Sequence, residues 1–527
     1  MITQLKLKNY KRFKEATFNF GDRLTMIYGP NSSGKSSVLR ALQILRQAWE
    51  HDRFLYLKPQ GANYSFSRFE HLVSKSIRDG VVEEPEDDLY FEITTTNTFA
   101  QHGHQHLYTV GLTYNEVEDT HNGELNTLMV RRELVDLSIE EEDRQPRKTF
   151  EFTLDIQPCP FEESRFYNQY SALLSEECIS QKKWETILGG TQVSDELYAL
   201  DVREMASQNS NLLDQVKSLI QKKSADVPKA YYSLRLIRPW DTFFQDKSFI
   251  LQVESNNRLL FEAKVGTHSI TEELEISNVV WYVEFELDEQ QKYQVLERLA
   301  EALDSFEYAF WAMYMVGGHL KLVNAIGPSR SVPQYVYSYK LVNFVGFAGE
   351  DFSSLMFSNK QMGTVLTLVN QSILQMGVPY QLCASDVEGI QFGQPLQEVW
   401  LQRLQTDHLG RVLIEDGIPK VLDDVNVALP DLGFGLSQML PILTQYHYQA
   451  EEQDSLSLST LTVEQPELHL HPSWQAELAQ ILSGAVKEGE EPQSVTQMIV
   501  ETHSEHFIQR IRNIFLSVMS IIVSVKI

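Results

Sequence analysis

An α/β fold whose two halves are separated by a long mixed insertion is what this sequence predicts, on three observations. Residues 1–50 run as three strands, a glycine-rich loop and a helix. Residues 89–318 alternate strand-rich and helix-rich stretches joined by acidic connections. From about residue 319 the chain returns to apolar strands ending in acidic and histidine-bearing turns. The expected boundaries are therefore 1–88, 89–318 and 319–527. The 527 residues exceed one ordinary core and fit two or three structural units.

Each element has its own basis. Leu24-Thr25-Met26-Ile27-Tyr28 is a short apolar run entered through the turn residues Gly21-Asp22, as a strand requires. Over Lys35–Glu50, Val38, Leu39, Leu42, Leu45 and Trp49 fall at helical spacing. Leu89–Thr94 and Thr149–Leu154, rich in β-branched and aromatic residues, predict antiparallel strands. Residues 161–225 read as helical and polar, most clearly over Ser194–Lys223; 246–284 as strands; and 285–318 as helical again. Ile514–Val525 is apolar but shorter than the ~18–20 residues of a membrane helix, and its Ile and Val content predicts a buried strand. No repeat of fixed period is visible.

Composition narrows the function classes. Hydrophobic content of 43% and charged content of 22% are those of an ordinary globular protein. A formal charge of −27 argues against a general nucleic-acid coat, while leaving room for a local basic groove. The acidic runs Glu83–Asp88 and Glu140–Asp143 read as solvated loops. Cys159, Cys178 and Cys383 share no metal-ligand spacing and make no even-numbered framework, so they read as reduced core residues of a cytoplasmic protein. Met1–Leu7 alternates polar and apolar residues and does not read as a leader.

Four motifs carry the chemistry. Gly29-Pro30-Asn31-Ser32-Ser33-Gly34-Lys35-Ser36, followed by Ser37, lies between a strand and a helix. In that setting glycines let the backbone wrap phosphates with inward N–H groups at a helix N-terminus. Gly29, Asn31, Ser32, Ser33, Gly34 and Ser37 form the cradle, Lys35 reaches the β- and γ-phosphates, and Ser36 ligates magnesium, so ATP and Mg2+ are the expected ligands. Leu461-Thr462-Val463-Glu464-Gln465-Pro466-Glu467 is an apolar strand ending in acids, and Glu464 can hold magnesium directly or through water. Gly433-Phe434-Gly435-Leu436-Ser437-Gln438 puts small residues and a hydroxyl where a phosphate could approach backbone; a tight turn before a helix accounts for the same residues. Met498-Ile499-Val500 delivers His503 to a strand end, where it can meet a γ-phosphate or an attacking water; lone histidines are more often hydrogen-bonded core residues.

In this order the four motifs resemble an ABC-class ATPase of the SMC, RecF and OLD group. They are most similar to bacterial AAA-type ATPases of defence islands that carry Gly-Pro-Asn-Ser-Ser-Gly-Lys-Ser and Glu-Gln-Pro-Glu-Leu-His-Leu-His-Pro. The resemblance covers residues 1–50 and roughly 320–512, including Ile326–Arg330 and Val345–Glu350, which receive no role from it. It implies an ABC-type P-loop fold with N-terminal antiparallel strands, split by a large mixed α+β insertion. It also implies a homodimer or higher oligomer in which Gly435 and Ser437 of one copy close over nucleotide held by Lys35 of the other.

Two features depart from that pattern. Most ABC ATPases place a glutamate directly after the magnesium carboxylate, but here the residue is Gln465, and an amide cannot accept a proton. Glu467 is the expected base in its stead, and the ATPase is expected to be slow. OLD-type nucleases carry a TOPRIM domain after the ATPase, and Ser504–Ile527 is too short for its acid cluster, so no nuclease is expected. His469 and His471 fall short of the ligand number of a zinc site. The resulting expectation is an ATP-driven regulator in anti-phage defence, acting with a separately encoded effector such as a nuclease or toxin. A RecF- or SMC-like DNA maintenance ATPase and a non-hydrolysing scaffold are the alternatives. Neither nucleic acid nor a membrane has support from the residues.

Overall fold

In the computed structural model the described residues are 1–52, most of 54–155, separate strands within 198–281, 312–451 with short breaks, 459–484, 496–517 and 524–526. The chain opens with β1 (Ile2–Tyr10), β2 (Phe13–Asn19), β3 (Leu24–Tyr28) and α1 (Lys35–Asp52). Alternation drives the first strand: Ile2, Leu5, Leu7 and Tyr10 are buried with more open polar residues between them. β1 and β2 form a hairpin in which Tyr10 faces Phe13, leaving Lys11 and Arg12 as its two-residue tip. Lys11 has φ 51°, the left-handed backbone such a turn demands.

The hairpin continues into β4 (Leu89–Thr96), β5 (His104–Glu116), β6 (Gly123–Asp136) and β7 (Arg147–Asp155), in spatial order β7-β6-β5-β4-β1-β2. The sheet thus runs across the boundary expected at residue 88, because β1 pairs with β4 over most of its length. Its inner face, with Leu7, Tyr10, Phe91, Val110, Leu112 and Val130, packs on the Leu42–Leu45 side of α1. A helix over 312–321 closes the far end of α1: Trp49 meets Tyr314 edge-on at 5.1 Å, and any Cβ at Gly317 would overlap the Trp49 ring.

The second sheet is parallel. β8 (Val323–Ile326), β9 (Thr460–Glu464), β10 (Gln497–Glu501), β3 and β11 (Ser524–Lys526) lie in that spatial order. All five residues of β9 and of β10 are buried, as expected of strands covered on both faces. Ile27, Val323 and Ile499 belong to the core on the α1 side; Met26, Val463, Met498 and Val500 belong to the core on the other. That second core is completed by α2 (Met362–Gln375), α3 (Phe434–Glu451), α4 (Pro472–Leu482) and α5 (Glu505–Ser517). The buried amide of Gln497 ties the two sheets together, accepting from Ile2 N–H and donating to the carbonyls of Ile2 and Gly21.

Several expectations change here. Tyr198–Leu200, within the stretch read as helical, is a strand paired with Val279–Trp281, so sheet pairing outweighs a weak local preference. The remainder of 161–225, most of 285–318, Glu140–Asp143, Cys159 and Cys178 lie outside the described residues. Ile514–Val525 is not one strand. Its first part continues α5, whose Phe507 and Ile511 already bury one helical face, and only Ser524–Lys526 pairs with β3. Glu83 ends a short strand, Val81–Glu83, paired with Ser76–Arg78 rather than lying in a loop. Among the described residues no helix is long and apolar enough to cross a membrane.

One core histidine gives the fold a pH dependence. His447 on α3 is buried, its Nε2 2.8 Å from Ser372 Oγ on α2, and burial pushes its pKa from 6.5 down to about 4. The unfolded chain therefore binds the proton first. Stability from this group is present above pH 6.5 and is lost as pH falls toward about 4. Denaturant titrations of His447→Gln, which keeps a partner for Ser372, should lose about 2 kcal/mol less than the parent between about pH 7 and about pH 5.

Candidate functional site

Parallel pairing brings the carboxyl ends of β3, β9 and β10 to one edge. Glu464 lies directly across from Glu501, and Glu501 from Ile27, so the loop leaving β3 opens beside both acids. Tyr28 leads into the Gly29–Gly34 loop, which turns into α1 at Lys35. Two non-extended conformations shape the turn. Ser32 has φ 60° and Gly34 φ 101°, and a Cβ on Gly34 would come within 2.7 Å of Arg12 Cδ and Phe13 Cζ. Gly29, at φ 158°, begins the loop almost fully extended. The Arg12 guanidinium at the hairpin tip donates to the Ser32 carbonyl, so the antiparallel sheet braces the loop from outside.

The loop encloses its own lysine. Lys35 is buried, and its Nζ donates to the carbonyls of Gly29 at 3.0 Å and Pro30 at 2.8 Å. Burial lowers its proton affinity, while Glu501 and Glu467 raise it. The next residue makes a contact that no local pattern announces: Ser36 Oγ donates to Glu501 Oε1 at 3.0 Å. Together Lys11, Arg12, Asn31–Ser37, Arg40, Gln465, Glu501 and His503 line a cleft of about 450 Å3. Within a chain of charge −27, four of these thirteen residues are cationic, a local field suited to an anion.

The acidic residues divide by depth. Glu464 is 2% exposed and does not line the cleft; its Oε2 is 3.6 Å from Arg40, and burial raises its pKa to about 7 against the pull of Arg40. Gln465 follows in the left-handed region, φ 48°, with its N–H on the Glu501 carbonyl at 2.8 Å, and its side chain reaches the cleft. Glu467 is also recessed: its Oε1 accepts the His503 N–H at 2.7 Å. His503 stands at the cleft wall, Nε2 3.9 Å from Glu501. Buried oxygens on Ser33, Glu464, Glu467 and Glu501 have no hydrogen-bond partner among the described residues, so the site offers the Ser33 hydroxyl as a donor to a phosphate and carboxylate oxygens as acceptors for a cation.

The remaining motif residues fall elsewhere. Gly435 and Ser437 sit in the first turn of α3, outside the cleft; Ser437 lines a separate surface pocket with Ser331, Gln334, Gly349 and Glu350. His471 caps α4, with Nδ1 2.8 Å from Ser473 Oγ, and His469 occupies a left-handed turn, φ 64°. Among the described residues no group of three or more His, Cys, Asp or Glu is arranged around a metal position.

Arg330, the end of a motif that had no role, proves central. It is buried behind β9 and donates through one terminal nitrogen to the carbonyls of Glu464 at 2.9 Å and Gln465 at 3.3 Å. Burial brings its pKa down to about 10, and the charges of Glu467 and Glu464 hold it from falling further. It is the cation facing two buried acids, and it holds a strained turn. Arg330→Ala should lower stability by about 1–3 kcal/mol by leaving the buried carbonyls of Glu464 and Gln465 without a donor. Arg330→Lys should recover part of that loss in thermal melts; a variant as stable as the parent would contradict this placement.

Comparison with known proteins agrees with the site. A 42-residue segment is 50% identical to uncharacterized protein 050L of Invertebrate iridescent virus 6, covering 8% of this chain and 4% of that one. A 50-residue segment is 34% identical to the DNA replication and repair protein RecF of Bacillus mycoides (strain KBAB4), covering 10% of this chain and 13% of RecF. Both matches therefore span a small part of the relatives. Among solved structures, an Smc head domain from Pyrococcus furiosus bound to the C-terminal domain of ScpA overlaps 97% of this chain and 91% of its own, at 11% identity and a TM-score of 0.32. The SMC head of Thermotoga maritima gives 11% identity, 97% and 91% coverage, and a TM-score of 0.31; overlaps at these scores carry no weight. The AAA ATPase domain family, in contrast, matches residues 1–257 and 357–508, taking in the phosphate loop, the Glu464 strand and His503, and the chain belongs to that family.

Proposed function

We propose that this ATPase binds ATP with magnesium in the cleft around Lys35 and uses slow hydrolysis to switch the association of two copies of the chain. The observation that supports this most directly is the cleft itself: four cationic residues gathered around a glycine-bearing loop at a helix N-terminus, with the Ser36 hydroxyl already beside a carboxylate. Asn31–Gly34 and Ser37 hold the phosphates, and Lys35 leaves the Gly29 and Pro30 carbonyls to pair with them. Ser36 and Glu464, the latter through water, hold magnesium, which neutralises phosphate charge when bound. Gln465 orients water by hydrogen bonding without taking its proton. Glu467 is the base we assign, and its Oε1 also positions the His503 backbone. Ser437 and Gly435 lie outside the cleft of their own copy, which suits action on nucleotide held by a second copy.

Two settings compete for the biological role. Similarity to RecF over 50 residues favours ATP-dependent DNA repair or maintenance. The motif resemblance favours regulation in cytoplasmic anti-phage defence through a separately encoded effector. A non-hydrolysing scaffold rests on Gln465 alone. Duplex DNA that stimulates turnover, with binding that weakens steeply in salt, selects the first setting. Loss of phage resistance on deleting the gene with its neighbours selects the second.

Purified chain should hydrolyse ATP, and Lys35→Ala should abolish both turnover and binding. Glu467→Gln should reduce turnover at least a hundredfold while ATP affinity stays within about threefold. Wild-type turnover in Glu467→Gln would remove Glu467 from the base role, and binding without turnover in the parent would favour the scaffold.

A further inference from the structure

From the position of Glu501, we infer that its carboxylate, rather than that of Glu464, is the direct protein ligand of the divalent cation, paired with Ser36. This inference rests on the nucleotide reading above and assigns its metal donors. Ser36 Oγ and Glu501 Oε1 are 3.0 Å apart. Two neighbouring oxygens on an octahedral magnesium ion, each bonded at about 2.1 Å, are separated by about 3 Å, so a cation could take both with little movement of either.

Three independent observations favour Glu501 over Glu464. Glu501 lines the cleft and Glu464 does not. Each acid keeps one buried oxygen with no partner among the described residues, but the other oxygen of Glu464 is held by the cation Arg40, whereas that of Glu501 is held by Ser36, the second metal donor. An unpartnered buried carboxylate oxygen is costly, and a cation is the partner that would relieve it. The third observation is chemical: the residue after Glu464 is the amide Gln465, so Glu501 supplies the one carboxylate among the residues that line the cleft. Gln465 N–H bonds the Glu501 carbonyl at 2.8 Å, which fixes the two positions against each other. One carboxylate and one hydroxyl suffice, since magnesium in such sites completes its shell with phosphate oxygens and water. Glu464 then acts from one layer further out, through a water.

The test uses Mn2+ as the probe, with the full chain and ADP. Metal-free ADP binding is measured first. Electron paramagnetic resonance then gives Mn2+ affinity in the presence of ADP, and pulsed measurements in deuterated or 17O-labelled water count the waters on the ion. Glu501→Gln should weaken Mn2+ binding at least tenfold and add one water, while metal-free ADP binding stays within about twofold. Glu464→Gln should leave the water count unchanged. Glu501→Asp, which keeps the charge on a shorter arm, should fall between parent and Glu501→Gln, and it serves if Glu501→Gln does not fold. Parental Mn2+ affinity and water count in Glu501→Gln and Glu501→Asp would overturn the inference alone. An equal loss of metal-free ADP binding would reduce Glu501 to a structural role and also overturn it. A parent that binds no ADP would instead overturn the nucleotide reading.

Discussion

The parallel pairing of β3, β9 and β10 is the constraint on which everything chemical in this chain depends. Each strand has five residues and contributes one end to the site: the loop before Lys35, the Glu464–Glu467 turn and the Glu501–His503 turn. Because the side-chain period in a strand is two, a slip of one residue in either pairing would turn Glu464 or Glu501 to the opposite face of the sheet. The buried apolar run before each acid locks the register. Val463, Val500 and Met26 on one face and Ile27 and Ile499 on the other cannot exchange faces without exposing one core and overfilling the other.

The same edge concentrates backbone strain. Ser32, Gln465 and His469 all hold positive φ without being glycine, and Gly34 does so with no room for a side chain. Such conformations cost on the order of 1 kcal/mol or more each and persist where the surroundings over-determine them. Here the surroundings are identifiable. Arg12 donates to the Ser32 carbonyl, Arg330 to the carbonyls flanking Gln465, and Glu501 accepts the Gln465 N–H through its backbone. Two arginines from opposite sheets thus grip the two turns that flank the cleft.

Much of this was legible in the amino-acid sequence, for reasons that explain what was not. The phosphate loop, the helix after it and the two apolar strands are local patterns, and Val38, Leu39, Leu42, Leu45 and Trp49 are all buried as their spacing implies. Glu501 stood inside a recognised motif, yet its contact with Ser36 depends on strand register across a separation of 465 residues, which no local pattern encodes. Arg330 carried no signal because it acts on carbonyl groups, and every residue has one. Likewise β4 and β7 were readable as antiparallel strands, but the pairing of β4 with β1 was not, since the choice of a neighbour is a property of two segments. Tyr198–Leu200 shows the opposite failure, in which a local helical preference yielded to a distant strand.

The strand order β9-β10-β3-β11 has a consequence for the way the protein is made. Leu24–Tyr28 leaves the ribosome with its phosphate loop attached, but its central partner Gln497–Glu501 follows only several hundred residues later. At typical elongation rates of ~5–20 residues per second, both edges of this apolar strand wait on the order of half a minute to a minute and a half for their neighbours. During that interval the nascent chain displays a sticky, unpaired segment and has no means of closing the cleft. Vectorial synthesis therefore delays nucleotide capture until the strand that carries Glu501 has been made, and makes the emerging N-terminal segment a natural client for chaperones.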